Sequence, residues 1–214
     1  PPRSTLFPYT TLFRSEGMTL TSELLSLEID PESGAIRSLR RAGIEGDLVD
    51  TSKCAGLNDY LYILGRDADK HRRDIDGPVK VIVEDAGPVV GTLRIESDAP
   101  GCEKLVRRVR IVDGLDYVEI LDSVNKTREC KPEGVYFGFP FNVPGAQARI
   151  DTPFAVVRVE KDQLEGANRN YYCVQRWADV SNAERGVTWV TPDAPMLQFD
   201  PIKIAQPFGL AYWR

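Results

Sequence analysis

From Glu23 onward, apolar and polar residues alternate with a period of two over short runs, and turn-forming residues separate the runs every ten to twenty positions. LLSLEIDPESGAIRSL (24–39) predicts a hairpin, because two β-prone runs flank Asp30-Pro31-Glu32-Ser33-Gly34, where proline and glycine supply the turn dihedrals. VKVIVED (79–85) and PVVGTLRIESD (88–98) repeat the theme around Ala86-Gly87. KLVRRVRIVDGLDYVEILDSVN (104–125) turns at Asp113-Gly114. In GVYFGFPFNV (134–143), Val135, Phe137, Phe139, Phe141 and Val143 share one face, which predicts the best core strand of the chain.

No window sustains apolar residues at three-and-four spacing for three turns, so no helix is expected. KCAGLNDYLYIL (53–64) is the one ambiguous piece. Successive strands of this length predict an all-β fold, a large antiparallel β-sandwich with one face of each strand in the core. At 214 residues the chain suffices for one such domain, and no linker divides it. The opening PPRSTLFPYTTLFRS (1–15) has neither an apolar signal core nor a small-residue cleavage site. It resembles translated sequencing-adapter read-through from metagenomic reading frames, so residues 1–15 are set aside as a leader and 16–214 are taken as the domain.

Composition narrows the function classes. With 42% hydrophobic and 28% charged residues the chain reads as globular and soluble, and no run approaches the roughly 18 apolar residues of a membrane span. Its 27 basic and 32 acidic side chains are interleaved, so no basic face is offered to nucleic acid. Setting aside the leader removes Arg3 and Arg14 and no acid, which makes the balance more acidic. Cys54, Cys102, Cys130 and Cys173 lie far apart and read as buried thiols of a reducing compartment, with the cytoplasm as the expected location.

Chemistry is sparse. The single histidine, His71, sits in DADKHRRDIDG, a highly charged stretch that reads as a solvated loop. Asp67, Asp69, Asp74 and Asp76 lack the central glycine and closing glutamate of a calcium loop, and one histidine cannot build a His-based zinc site. There is no G-x-S-x-G elbow, phosphate cradle or H-E-x-x-H, so no metal or cofactor is expected in this chain. Any two of the acids could in principle flank a glycosidic bond, but sequence does not measure their separation.

The most crowded stretch is NYYCVQRWADVSNAERGVTWVT (170–191), read as two strands around a turn. Three roles are open for it. Trp177, Val187 and Trp189 can fill the core while Arg176 and Asp179 pair across the turn. Alternatively, Trp177 can stack on a sugar whose hydroxyls bond Arg176 and Asp179, since carbohydrates are apolar on one face and hydroxylated at the rim. In the third role the stretch is a seam for docking against a further domain. Asn182, Glu184 and Arg185 are the polar groups of its loop expected to reach outward.

Three of these segments carry a resemblance. LSLEIDPESGAIRSL with its D-x-x-x-G-x-I-x-S-L turn, LVRRVRIVDGLDYVEILDSVNK followed by GVYFGFPFNV, and YYCVQRWADVSNAERGVTWVTPDAPM with Q-x-W-x-D-x-S resemble, in order over about residues 24–202, the C-terminal β-sandwich region of glycoside hydrolase family 38, the α-mannosidases. The resemblance implies a galactose-mutarotase-like supersandwich. It also implies a fragment, cut at both ends, of an enzyme whose zinc ion and aspartate nucleophile sit in a missing N-terminal α/β domain and act by a retaining mechanism. Its implied partners are that domain and a mannoside. The candidate substrate-side residues are Arg176, Trp177, Asp179, Asn182, Glu184 and Arg185. An independent carbohydrate-binding module is the alternative, and a sandwich of mutarotase or polysaccharide-lyase type is disfavoured by the lone histidine.

Overall fold

The computed structural model describes residues 14–65, 72–167, 169 and 171–199. Strands β1 (Arg14–Glu16), β2 (Thr19–Thr21), β3 (Leu25–Ile29) and β4 (Ile36–Arg41) form one antiparallel sheet in that order. β5 (Asp59–Leu64) and β6 (Arg72–Asp74) follow, and then a meander of β7 (Val79–Ala86), β8 (Val90–Ala99), β9 (Cys102–Val112) and β10 (Val118–Lys126). β11 (Glu133–Gly138) returns to pair with β5, giving the order β11-β5-β6.

β12 (Gln147–Thr152), β13 (Ala155–Arg158), β14 (Tyr172–Cys173), β15 (Trp177–Ser181), β16 (Gly186–Val190) and β17 (Met196–Leu197) complete the fold. Here the order is β13-β12-β15-β16, with β14 and β17 as a separate pair. The described residues contain no helix, and therefore none long and apolar enough to cross a membrane. The all-β, antiparallel expectation matches this arrangement.

Alternation explains the layering. Leu25, Leu27 and Ile29 of β3 turn inward and meet Leu93 and Ile95 of β8 and Val109 and Ile111 of β9, closing the main core between the first sheet and the meander. Each such side chain removed from water contributes about 1.5–3 kcal/mol. A second cluster joins Tyr60 and Tyr62 of β5 to Ala99 and Leu105, and a third lies within the C-terminal sheets around Ile150, Tyr172, Val174 and Ala178. All three predicted hairpins are present, with turns at residues 30–35, 87–89 and 113–117. Arg14 and Ser15, set aside with the leader, belong to β1, while residues 1–13 lie outside the described residues.

One expectation needs correction. GVYFGFPFNV is not a single core strand: β11 stops at Gly138, just before Pro140, which lacks an N–H to continue a ladder. Its alternating residues divide between two cores. Val135 and Phe137 pack on the tyrosine cluster, whereas Phe139 and Phe141 pack on the main core, and all four are only half-buried. The best-buried strand is β5, Asp59–Leu64, from the segment left ambiguous, with its first five residues buried on both faces.

Two edges of the sheets are modified. β7 carries a bulge between Val83 and Asp85, and at the β13 edge the Arg158 N–H donates to Asp162 Oδ2 at 2.7 Å while Asp162 also pairs with the guanidinium.

The turn between β3 and β4 is held by Asp30, whose Oδ2 accepts from the Ser33 N–H at 2.8 Å and the Ser33 hydroxyl at 2.6 Å. Gly34 follows with φ +69°, and a Cβ built there would lie 2.2 Å from Nη2 of Arg107. Gly114 has a similar φ of +75° but open space around it. Gly114→Ala should therefore show only the left-handed penalty of about 1–2 kcal/mol, while Gly34→Ala adds a clash with a buried guanidinium and should lower stability at least twice as much. Urea denaturation of the two variants measures the difference.

Candidate functional site

The 170–191 stretch is organised by a residue outside it. Asp151, buried at the end of β12, accepts from the backbone N–H groups of Gln175, Arg176 and Trp177 through Oδ1, at 3.1, 2.9 and 2.9 Å. Burial acts to raise its pKa, but these donors outweigh it and hold the carboxyl below the ordinary aspartate range. The chain is thereby bent into β15 at Trp177. β15 and β16 then form a hairpin whose loop is closed by Asn182: its Oδ1 accepts from the N–H groups of Glu184 and Arg185 at 2.8 and 2.9 Å.

That loop also ties inward. Asn182 Nδ2 donates to the Pro144 carbonyl at 3.0 Å, and Arg185 Nη1 donates to the Glu45 carbonyl at 2.9 Å, in the loop after β4. Together with Pro144 and Ala183, the Asn182, Glu184 and Arg185 side chains line a shallow depression of about 330 Å³. Of the three groups expected to reach outward, Asn182 and Arg185 are thus committed to the body of the protein, and Glu184 is exposed.

Alternation across the C-terminal sheet sorts the remaining candidates. Ile150, Val157, Ala178 and Trp189 stand in one cross-strand row, and all four belong to the third core cluster. Val187, also on β16, packs on the main core, and the Trp189 ring lies 5.5 Å from that of Phe139. These two side chains form a seam between the C-terminal sheet and the rest of the molecule. Trp177 lies on the other face, paired across to Val190, and is half-buried, so the expectation that it joins Val187 and Trp189 in one core is corrected.

Asp179 shares the outer face with Trp177. It does not pair with Arg176. Its Oδ1 receives the Ser181 hydroxyl at 2.5 Å and Arg149 Nη1 at 3.4 Å, and its Oδ2 receives the Thr188 hydroxyl at 3.2 Å. Arg176 is exposed, and its side chain makes no hydrogen bond among the described residues. The outer face therefore presents Trp177, a satisfied Arg149–Asp179–Ser181–Thr188 network, and the exposed Val156 and Val190, with Arg176 just before it in the chain.

Sequence reading missed Arg149, Asp151, Ser181 and Thr188. Ser181 and Thr188 were accessible in principle, since the hairpin register sets Thr188 opposite Asp179 and Ser181 two residues beyond it; Arg149 and Asp151 come from a strand about thirty residues away. His71, Asp67 and Asp69 lie outside the described residues. Among the described residues no group of three His, Cys, Asp or Glu side chains is close enough to hold a metal ion, so these residues do not fit a zinc site. The four cysteines are free thiols, but only Cys54 and Cys102 are even partly buried; Cys130 and Cys173 are exposed, which corrects the expectation of four buried thiols. Burial and the neighbouring Asp59 push the Cys54 thiol up to about 11.

Layered antiparallel sheets with a C-terminal sheet seamed to them by Val187 and Trp189 define this molecule as an all-β sandwich domain. Comparison of its sequence with protein families matches "Glycosyl hydrolases family 38 C-terminal domain" over residues 20–194, and the chain belongs to that family. Among solved structures it is similar to an alpha-mannosidase from Enterococcus faecalis V583, with a TM-score of 0.62 and 9% sequence identity over 84% of this chain and 24% of that chain. The protein spans about a quarter of that structure's chain. A search of curated protein sequences gives no significant match.

Asp151 supplies a test of how the site is built. Asp151→Asn loses the charge that the three N–H groups solvate, so its thermal midpoint at neutral pH should be lower than that of the parent. Because the folded-state carboxyl lies below its unfolded value, its contribution is present above the ordinary aspartate pKa and is lost as the pH falls through the folded value. The difference between parent and variant should therefore shrink on acidification below about pH 4, as followed by melting curves across pH.

Proposed function

We propose that this chain is the β-sandwich portion of a zinc-dependent, retaining α-mannosidase, acting with an N-terminal catalytic domain of the same polypeptide and edging the cleft in which a mannoside binds. Family membership over residues 20–194 is the observation that carries this reading. In it, zinc and the nucleophile belong to the other domain, and zinc supplies Lewis-acid polarisation and substrate orientation there. The residues of this chain hold a scaffold: Asp151 sets the entry to β15, Asn182 and Arg185 fix the hairpin loop, and Val187 and Trp189 keep the sheet in place. Arg176 and Glu184 are then the exposed polar groups with which this segment reaches a sugar or the neighbouring domain. The interleaved charge speaks against nucleic acid as a partner, and a reducing location, the cytoplasm, belongs to the same reading.

A second reading, an independent carbohydrate-binding module, is favoured by one feature: Trp177 lies on the outer sheet face beside a polar network, as a sugar platform requires.

Assays separate the two. The isolated chain should release no product from an aryl α-mannoside with or without added zinc, and it should show no mannose binding by calorimetry. Turnover would overturn the first reading, and tight binding would favour the second. In an intact enzyme carrying this domain, Trp177→Ala should lower the melting temperature while kcat/KM per folded molecule stays within about twofold. Arg176→Ala should leave the melting temperature unchanged and lower kcat/KM about tenfold or more, as expected for a charged hydrogen bond of about 1.5–3 kcal/mol made to the transition state.

A further inference from the structure

A second group of charges, with Arg107 and Asp59 buried and Asp122 half-buried, lies far in sequence from the 170–191 stretch. Arg107 is fully buried in an inward position of β9, between Leu105 and Val109. Its hydrogen bonds go to carbonyl oxygens: Nη1 donates to Asn58 O at 3.2 Å, and Nη2 donates to Ser33 O at 2.7 Å. Two carboxyl groups lie close enough to act on its charge. Asp122 stands directly opposite on β10, and Asp59, on β5, follows Asn58.

Asn58 is buried with a left-handed φ of 61° and joins the parts, donating its amide to Asp122 Oδ1 at 2.8 Å. The Ala55 N–H donates to Asp59 Oδ2 at 3.1 Å. Beyond Asp59, the charged groups in range among the described residues are Arg72 and Asp74 of β6, and the Cys54 thiol is nearby. Among the described residues, the buried Nε of Arg107 and Oδ1 of Asn58 have no hydrogen-bond partner.

One guanidinium balances one carboxylate. With both Asp59 and Asp122 ionised, the cluster keeps an uncompensated negative charge where desolvation penalises it. One added proton makes it neutral. We propose that the Arg107–Asn58–Asp59–Asp122 cluster is a proton-linked joint, which takes up one proton at Asp122 in mildly acidic solution and itself contributes more to the stability of the domain there than at neutral pH.

Ionisation tendencies agree with this geometry. Burial raises the Asp122 carboxyl to about 6, against the opposing effects of the Asn58 hydrogen bond and the Arg107 charge. Burial likewise raises Asp59, and it lowers Arg107 to about 10, which leaves the guanidinium charged across the range concerned. The sign follows from linkage. The folded carboxyl binds its proton more tightly than the unfolded one, whose ordinary value is 3.8, so this group favours folding at the acid end and stability declines as the pH rises through about 6. The joint reaches three parts of the chain: the 30–34 turn through Ser33, the entry to β5 through Asn58, and the meander through Arg107 and Asp122.

The test uses the whole chain. Carbon-13 NMR of the side-chain carboxyls, assigned through bonds, should show Asp122 titrating about two pH units above an exposed aspartate. Urea midpoints should then be measured between about pH 4.5 and 7.5 for the parent and for Asp122→Asn, which mimics the protonated state. Other acids such as Asp151 contribute with the opposite sign, so the informative quantity is the difference between the two proteins. The variant is expected to gain on the parent as the pH rises through about 6. Titration of Asp122 near 4, or a difference that does not change with pH, would overturn the proposal. If Asp122→Asn fails to fold, the titration of the parent decides alone.

Discussion

Arg107 occupies the same inward file of β9 as Leu105, Val109 and Ile111, and a guanidinium in that file must be met by acceptors from whatever packs above it. Those acceptors are backbone carbonyls of Ser33 and Asn58, which places two irregular segments to within hydrogen-bond tolerance of the meander. The requirement propagates. Gly34 must be glycine, because its neighbour's carbonyl can reach Nη2 only if nothing projects from the next residue. Asn58 must turn through a left-handed conformation so that carbonyl and side-chain amide serve Arg107 and Asp122 together. The main core and the tyrosine cluster lie on either side of this residue, so the apolar packing of both is registered by one polar contact set.

The C-terminal sheet is held by a different principle. Its own cluster around Ile150, Val174 and Ala178 is small, and its attachment relies on Val187 and Trp189 reaching Phe139 and the main core, with Arg185 and Asn182 supplying hydrogen bonds at the rim. Aromatic residues that look like a binding surface in the sequence are thus split between two faces of one strand pair. Trp189 belongs to the seam, Trp177 to the outside, and only the register of the hairpin distinguishes them.

Hairpins were legible because their signals are local: alternation in the strands and Asp, Pro or Gly in the turns act over a few residues. β5 was obscure because a strand buried on both faces, DYLYIL, shows no alternation. The Phe-rich stretch misled for the opposite reason, since its perfect alternation runs through Pro140 into a second core. In the candidate site, Trp177 and Asp179 share a face as their spacing implies, but the partners that occupy Asp179 include Arg149, supplied by β12. Asp151 gave no local sign of its role, because the amides it solvates lie more than twenty residues later. Arg107 could have been noticed, as a charge at an inward position of an otherwise apolar file.

The Asp162 clasp on Arg158 has a bearing on the fate of the molecule in a crowded solution. β13 is an outer strand carrying Ala155, Val156 and Val157, a sequence suited to recruiting a strand from another molecule. With the Arg158 N–H already spoken for, an incoming chain finds a ladder broken at its last rung and a pinned turn beside it. The bulge in β7 disrupts another border in the same way. Growth by edge-to-edge stacking is thereby discouraged at two of the places where an all-β protein is most vulnerable to fibrillar aggregation.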